Sequence, residues 1–488
     1  MKTKYIFLGI IISSLSICQG VYAQSGKPNV VFIMADDLGI GDVSCYGAAM
    51  IKTPEIDNLA SQGMKFENFY TAGATCTPTR YSILTGRYSF RSPDIATDNW
   101  KRNLLLDPND MSIAALFKQK GYKTAAIGKW HQGYGGKVKL NWDETLKPGP
   151  LEIGFDYHWG LPSNHNDQTR GYVENHRLFG LDPNTPYKQA DRNKEEPVKG
   201  LLFDREDDNV NALLTERAID FIRTNKDDSF FLYFTPTIAH THITPNSKFR
   251  GTSEAGQYGD FVQELDFYVG KIMDLLDELN LSENTMLIFT SDNGGQLNDH
   301  HTAGLGLNLA DESNDVRLKA KSAKTDAREM GHKTNLEFRD GKGSPYQGGF
   351  RVPLIVRWPG VTTAGITSDR LVCSSDFLAT FASMIDVKIP KNSGEDSFSF
   401  IDILNNDKVD VPRTKVALFS KKARSFVDGN WKLVDYSYAV KKTKETFELF
   451  NLAEDPGEEN DLSTKEPKQL SLMRKNLKKI VDAGKSIH

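Results

Sequence analysis

Cysteine is scarce in this chain: four in 488 residues, at positions 18, 45, 76 and 373. That count excludes a small scaffold held by dense disulfides and points to a large self-supporting core. Long apolar runs are equally rare. The one near the N-terminus, Tyr5 to Ile17, is too short for a comfortable transmembrane span, and no later segment is apolar enough for one, so no transmembrane segment is expected. Charge of one sign is also lacking, with 60 Lys and Arg against 64 Asp and Glu and a formal net charge of -4. This excludes steering toward nucleic acid or an anionic membrane by a polycationic surface, so an anionic substrate would need positive charge confined to a pocket. The remaining composition, 39% apolar and 25% charged, is that of a globular protein. The length suits one large α/β core plus a smaller unit.

At the N-terminus, Lys2 and Lys4 precede the apolar run, and Val21-Tyr22-Ala23 follows it. A charged region, an apolar region and a small-residue cleavage site predict a secretory signal peptide over 1–23, hence export to the periplasm or the medium. Cys18 offers a lipoprotein anchor as the lesser alternative, because Ile17 is a poor residue before a lipidated cysteine. Cleavage after Ala23 leaves Cys45, Cys76 and Cys373. If Cys76 is modified, the other two can pair or stay free, and the sequence does not decide between these.

The chain is organised around Ala74-Thr75-Cys76-Thr77-Pro78-Thr79-Arg80-Tyr81-Ser82-Ile83-Leu84-Thr85-Gly86-Arg87. Pro78 suits the first turn of a helix, where a missing N–H costs nothing. Cys76 would sit just ahead of that helix, where free N–H groups and the positive dipole end favour an anion. Arg80, one turn in, would point back to the same spot. Read alone, a structural cysteine beside an ordinary helix start is the lesser alternative for Cys76.

Other polar clusters follow apolar strands. The run Asn29 to Met34 reads as a buried parallel strand and ends in Ala35-Asp36-Asp37. Open α/β sheets place ligands at such carboxyl ends. Two adjacent carboxylates repel and invite a hard cation such as Ca²⁺ or Mg²⁺, although a bare Asp-Asp more often belongs to a solvated loop. A predicted strand from Lys123 ends in Gly128-Lys129-Trp130-His131-Gln132-Gly133. Another, Ser229 to Thr235, runs into His240-Thr241-His242. A third, Thr285 to Thr290, ends in Ser291-Asp292-Asn293-Gly294-Gly295.

C-x-P-x-R followed by Leu-Thr-Gly-Arg resembles the signature of the type I sulfatases, in which that cysteine becomes formylglycine (3-oxoalanine). Gly128 to Gly133 resembles the family's G-K-W-H-x-G element, with Gln132 where leucine is often found. Gly341-Lys342-Gly343-Ser344-Pro345-Tyr346-Gln347-Gly348-Gly349-Phe350-Arg351-Val352-Pro353 resembles another sulfatase element whose lysine reaches the sulfate. The resemblance covers nearly the whole mature chain in family order. It implies one Ca²⁺ ion held by Asp36, Asp37, Asp292 and Asn293 together with the modified Cys76, and a sulfate contacted by Lys129, His131 and Lys342. It also implies a substrate-facing histidine at His240, with His242 as rival, and a maturation partner, either a formylglycine-generating or an anaerobic sulfatase-maturating enzyme.

Alternating strands and helices predict a mostly parallel α/β sheet; the resemblance makes it alkaline-phosphatase-like, sandwiched by helices. Four short runs after Lys415 and an amphipathic segment from Glu466 to Ala483 predict a smaller C-terminal antiparallel sheet plus helix, with a hairpin at Gly429. The expected division is a catalytic domain over 24–385 and a C-terminal α+β subdomain over 386–488. Gly133 to Gly200 is irregular, and Trp142, Tyr157, His158, Trp159, His165, His176 and Arg177 are residues that can line a sugar pocket. A polar insertion, Gln296 to Arg339, is expected near the pocket mouth.

The chemistry expected is that of a sulfuric ester hydrolase acting on sulfated carbohydrates, algal polysaccharide or glycosaminoglycan fragments. A hydrated aldehyde at Cys76 offers one hydroxyl to attack sulfur and another to expel sulfate as C=O re-forms. Arg80, Lys129 and Lys342 would stabilise the transferring group, His131 would act as base, and His240 or His242 would protonate the leaving oxygen. A phosphodiesterase or phosphonate hydrolase of the same superfamily, or a non-catalytic sulfated-glycan-binding protein, are the alternatives.

Overall fold

The structure is a computed structural model that describes residues 27–96, 103–136, 140–165, 167–190, 197–203, 205–296, 327–409, 413–441 and 446–486. The expected signal peptide, with Cys18, and most of the polar insertion lie outside the described residues.

Strands β1 (Asn29–Ala35), β2 (Met64–Phe66), β3 (Phe69–Tyr70), β4 (Lys123–Lys129), β5 (Tyr157–Leu161), β6 (Val173–Glu174) and β7 (Arg177–Leu178) precede β8 (Phe230–Thr235), β9 (Thr285–Ser291), β10 (Leu354–Arg357) and β11 (Ile366–Ser368). All but β3 form one ten-stranded sheet in the order β11-β2-β10-β9-β1-β8-β4-β5-β6-β7. From β9 to β5 every neighbouring pair is parallel; β10 runs against β9 and β2. Every residue of β1, β8 and β9 is buried, which is why these stretches read as continuous apolar runs rather than alternating ones.

Alternate residues of β1 feed two cores. Val30, Phe32 and Met34 pack with Tyr81, Ile83 and Leu84 of the helix Cys76–Thr85, with Leu116 and Phe117 of Ile113–Gln119, and with Phe377 and Phe381 of Phe377–Met384. Val31 and Ile33 pack with the helices Pro54–Gln62, Val210–Thr224 and Gly256–Glu278 on the other face. Helices thus sandwich the sheet as predicted. Each fully buried Phe or Leu contributes roughly 1.5–3 kcal/mol through lost apolar exposure, and Phe32→Ala, which would empty the space edge-on to Phe377, would cost about 3–5 kcal/mol.

The stretch Met64 to Tyr70 is broken into β2 and β3. β2 pairs with β11, whereas β3 pairs with β12 (Val372–Cys373) in a separate two-stranded sheet. The exchange of partner falls at Glu67 and Asn68, where Glu67 N donates to Ser368 O and Asn68 O accepts from Val372 N.

β13 (Lys415–Phe419), β14 (Arg424–Asp428), β15 (Trp431–Asp435) and β16 (Phe447–Asn451) make an antiparallel four-stranded sheet in sequence order. Asp428 pairs with Trp431 across a two-residue turn in which Gly429 takes φ +58°. The helix Pro467–Asp482 packs Met473 and Leu477 onto this sheet. Cys45 and Cys373 are unpaired, and no helix of the described residues is long and apolar enough to cross a membrane.

The aromatic set of 133–200 is largely packing. Trp159, 1% exposed, stacks on Tyr172 at 5.4 Å with the Arg217 guanidinium over its ring. His158 bonds Ala126 O and Tyr134 Oη, and burial pulls its imidazole down to about 4. Trp142 packs against Tyr134 and Tyr187, the Tyr157 hydroxyl donates to Glu174, His176 pairs with Glu152, and Arg177 is exposed in the short strand β7. β5 is an interior strand, so its side chains enter the two cores instead of a sugar pocket.

Candidate active site

Because β9, β1, β8 and β4 run parallel, their carboxyl ends share one edge of the sheet. Ala35 lies beside Ser291 in register, so the residues that follow, Asp36 and Asp292, emerge together. Gly128 is level with Thr235, which brings Lys129 to His131 alongside the turn that carries His240.

The helix Cys76–Thr85 points its N-terminus at this edge. Thr75 is extended (φ -145°, ψ 160°), and Cys76 is the first helical residue rather than the residue ahead of it. Gly86 closes the helix in the left-handed region at φ +66°, its N–H bonded to Ser82 O at 2.9 Å. All ten helical residues are buried, Arg80 completely.

Side-chain atoms of Asp36, Cys76 and Asp292 lie within 4.8 Å of one another. Lys129 Nζ donates to both oxygens of Asp36, at 2.8 and 2.7 Å. Lys342 Nζ donates to Asp37 Oδ2 at 2.7 Å, and Asn293 Nδ2 to Asp37 Oδ1 at 3.0 Å. Arg80 spends its guanidinium on Asp292, 2.9 Å from Nε, and on the Lys129 carbonyl, 2.8 Å from Nη1. His240 Nε2 is 3.8 Å from Asp37 Oδ2. Three carboxylates therefore face three cations in a buried cluster. His131, 6% exposed, adjoins it and takes φ +55°.

The electrostatics follow from burial set against these pairings. Asp36 is held well below the usual carboxylate range although burial opposes it, because Lys129, His240, Arg80 and Lys342 all favour its charge. Burial, then the Asp36 charge, pushes Asp292 up to about 7. Burial raises the Cys76 thiol despite Lys129 and Lys342. His131 and His240 are both depressed by burial first; Lys129 and Arg80 add to it at His131, and Lys342 at His240.

The donor set suits a hard cation. Asp36, Asp37 and Asp292 supply carboxylate oxygens, and Asn293 Oδ1 is buried without a hydrogen-bond partner among the described residues. That oxygen lacks only an electrophile, and Asp36, Cys76 and Asp292 form a candidate metal site.

Of the sequence-predicted residues, Asp36, Asp37, Cys76, Arg80, Lys129, His131, His240, Asp292, Asn293 and Lys342 converge here. His242 is used through its carbonyl, which accepts from His165 Nε2 at 2.7 Å. Gln132, which stood out only as a departure, is fully buried and donates to Thr77 O at 3.0 Å, tying the Lys129 loop to the residue after Cys76. Thr235 Oγ1, donating to Lys129 O at 2.9 Å, was signalled only by being polar at the end of an apolar strand. The segment 332–340 packs behind the site, with Asn335 Oδ1 accepting from Gly295 N at 2.9 Å. Gly294 is required by close approach, since a Cβ there would lie 1.7 Å from Gly348 O.

Comparison with known proteins agrees with this constellation. The family model described as Sulfatase matches residues 28–387, and one described as N-sulphoglucosamine sulphohydrolase, C-terminal, matches 340–485. The N-acetylgalactosamine-6-O-sulfatase of Bacteroides thetaiotaomicron is 32% identical over 91% of each chain. Human N-acetylgalactosamine-6-sulfatase is 29% identical over 79% of this chain and 67% of its own. A solved structure concerned with metabolism of multiple glycosaminoglycans by Bacteroides thetaiotaomicron superposes with a TM-score of 0.81 at 29% identity, covering 93% of this chain and 99% of the other. The chain belongs to the sulfatase family, within the alkaline phosphatase superfamily. It is a sulfuric ester hydrolase.

Proposed function

We propose that the protein is an exported sulfatase that removes sulfate esters from carbohydrates, glycosaminoglycan fragments carrying 6-O-sulfated N-acetylgalactosamine foremost. Its nucleophile would be a hydrated formylglycine made from Cys76 by a maturation enzyme. The observation that carries this reading is the position of Cys76 as first residue of a buried helix, amid Lys129, Lys342 and the Asp36–Asp292 carboxylates. The choice of sugar is supported by the relative that matches 91% of both chains.

Cys76 Sγ stands where the side-chain oxygens of the matured residue would be. Those oxygens supply one hydroxyl to accept the sulfuryl group and one to release it. A Ca²⁺ ion held by Asp36, Asp37, Asp292 and Asn293 would supply positive charge against the sulfuryl oxygens. Lys129 and Lys342, ammonium groups beside Cys76, neutralise charge that spreads over those oxygens. Asp292, in its carboxylate form, takes a proton from the residue-76 side chain. Arg80 bonds Asp292 through Nε and Lys129 O through Nη1, so it fixes that carboxylate and the Lys129 loop. His131, neutral, accepts the proton of the second step, and His240 serves the leaving oxygen.

The test is sulfate release from a panel of sulfated mono- and oligosaccharides. The protein is co-expressed with a formylglycine-generating or anaerobic sulfatase-maturating enzyme, and Cys76→Ala serves as blank. Release from 6-O-sulfated N-acetylgalactosamine by the wild type alone is expected, with kcat of the Ala variant lower by on the order of 10³-fold or more. Silence across the panel, with formylglycine verified by peptide mass, would shift the reading to phosphorus esters or to glycan binding without turnover.

A further inference from the structure

The turn that presents Lys342 is gripped from two sides. On the site side, Lys342 N donates to Gly295 O at 3.1 Å, Gly343 N to Ala74 O at 2.6 Å, and Gly294 N to Gly349 O at 3.2 Å. These bonds link it to the loops of Asn293 and Cys76. On the far side, the contacts come from the C-terminal sheet and the segment after it. Ser425 Oγ donates to Pro345 O at 2.6 Å, and Tyr346 Oη donates to Glu448 Oε2 at 2.8 Å.

Between these lies Glu458, which follows Asp455-Pro456-Gly457. Its side chain has no exposure. Oε2 accepts from Gln347 N at 2.5 Å, Oε1 lies 2.6 Å from the equally buried Lys432 Nζ, and its carbonyl accepts from Arg339 Nη1 at 2.7 Å. Arg339 O in turn accepts from Gly348 N at 2.9 Å. Glu458 thus fixes two consecutive peptide units of the turn, one through its carboxylate and one through Arg339. A buried ion pair returns little net stability once desolvation is counted, so stability is a weak reason for this one. Its geometric consequence is definite, because it sets the depth of residues 342–350 against the sheet edge.

We infer that Glu458 is a positioning residue for Lys342: its buried carboxylate, neutralised by Lys432, holds Gln347 N–H and so places the Lys342 ammonium at the sulfuryl site. The C-terminal unit thereby shapes the catalytic edge while, among the described residues, contributing no group to it. This rests on the reading that Lys342 contacts the sulfuryl group.

The experiment is a double-mutant cycle in kcat/KM on an aryl sulfate with the matured full chain, read together with hydrogen exchange of the peptide spanning 341–350. Glu458→Ala is expected to lower kcat/KM about tenfold or more, as small misplacements of a charge clamp do. Lys342→Ala lowers it by at least as much, and adding Glu458→Ala to Lys342→Ala costs little further, because coupled residues are not additive. The Glu458→Gln, Lys432→Met pair removes both charges but keeps an acceptor for Gln347 N–H, and is expected to restore kcat/KM to within about threefold of wild type. This variant also keeps the question answerable if Glu458→Ala does not fold. Exchange over 341–350 should quicken about tenfold in Glu458→Ala and return in the pair. Additive losses in the Lys342→Ala background, or unchanged exchange in a folded Glu458→Ala protein, would overturn the inference. Undiminished turnover in Lys342→Ala alone would overturn the role given to Lys342, and the exchange result would then decide the positioning by itself.

Discussion

Arg80 and Asp292 meet with neither side chain exposed: Nε donates to Oδ2 at 2.9 Å, and Nη2 lies 2.8 Å from the same oxygen. Removing the guanidinium leaves a buried carboxylate beside Asp36 with one cation fewer. Arg80→Ala is expected to cost about 3–5 kcal/mol in urea unfolding, the loss usual for breaking a buried pair from one side. Arg80→Lys should lose less stability, since charge is kept, yet still lose turnover, since one ammonium cannot serve both Asp292 and Lys129 O. Wild-type stability in Arg80→Ala would mean that Asp292 simply takes up a proton when its partner goes.

Much of this arrangement was legible before any coordinates. Strand ends at Asp36, Lys129 and Asp292 could be placed on one edge because apolar runs such as Asn29 to Met34 announce buried parallel strands, and parallel strands share a carboxyl edge. Cys76, Pro78 and Gly86 are local signals, and they set the helix to within one residue. What escaped is what depends on contact between distant segments. Glu67 and Asn68 look like the middle of a strand until β11 and β12 compete for the two halves. Trp159 and His158 look like pocket lining until β5 is seen inside the sheet. Gln132 looks like a departure until Thr77 O is found 3.0 Å from its amide. Glu458, 116 residues after Lys342 by the numbering of the chain, carries no local mark of its link to that lysine.

The pairing of Asp36, Asp37 and Asp292 with Lys129, Lys342 and Arg80 bears on metal removal. With charges already balanced, the fold should survive chelation, and far-UV circular dichroism should not change while turnover falls by at least about tenfold. Returning Ca²⁺ at about a hundred times its Kd should add about 2.7 kcal/mol of stability. Asn293→Ala removes the otherwise unpartnered Oδ1 and should shrink that increment. An equal Tm rise with Ca²⁺ in wild type and Asn293→Ala would remove Asn293 from the ligand set.

The two rival histidines separate by what each contributes. His240 brings its ring within 3.8 Å of Asp37, whereas His242 offers His165 a main-chain oxygen that survives loss of the side chain. Turnover of a sulfate ester with a poor leaving alcohol should fall about 10²-fold in His240→Ala and less than about tenfold in His242→Ala. With a nitrocatechol leaving group, which needs little protonation, the His240→Ala deficit should narrow. The reverse order would transfer the acid's role to His242.

Away from the site, Asp266 offers a stability measurement with a definite sign. Its carboxylate, 4% exposed, accepts Ile56 N at 2.8 Å and Glu55 N at 3.3 Å, capping the helix Pro54–Gln62 from the helix Gly256–Glu278. Those N–H groups favour the charged form, but burial outweighs them and pushes the carboxyl up to about 7. Between the ordinary carboxylate range and pH 7 the folded protein therefore holds a proton that the unfolded chain has lost. Stability from this group is complete below the unfolded pKa and disappears as pH rises through about 7. The urea midpoint of wild type should accordingly fall from pH 5 to pH 8 more steeply than that of Asp266→Asn, whose amide oxygen keeps accepting from the same helix without titrating. Glu264, also raised to about 7 by burial, adds a like slope to both proteins, so the comparison isolates Asp266. Parallel profiles for the two proteins would show that Asp266 stays ionised in the fold, with the helix N–H groups prevailing over burial.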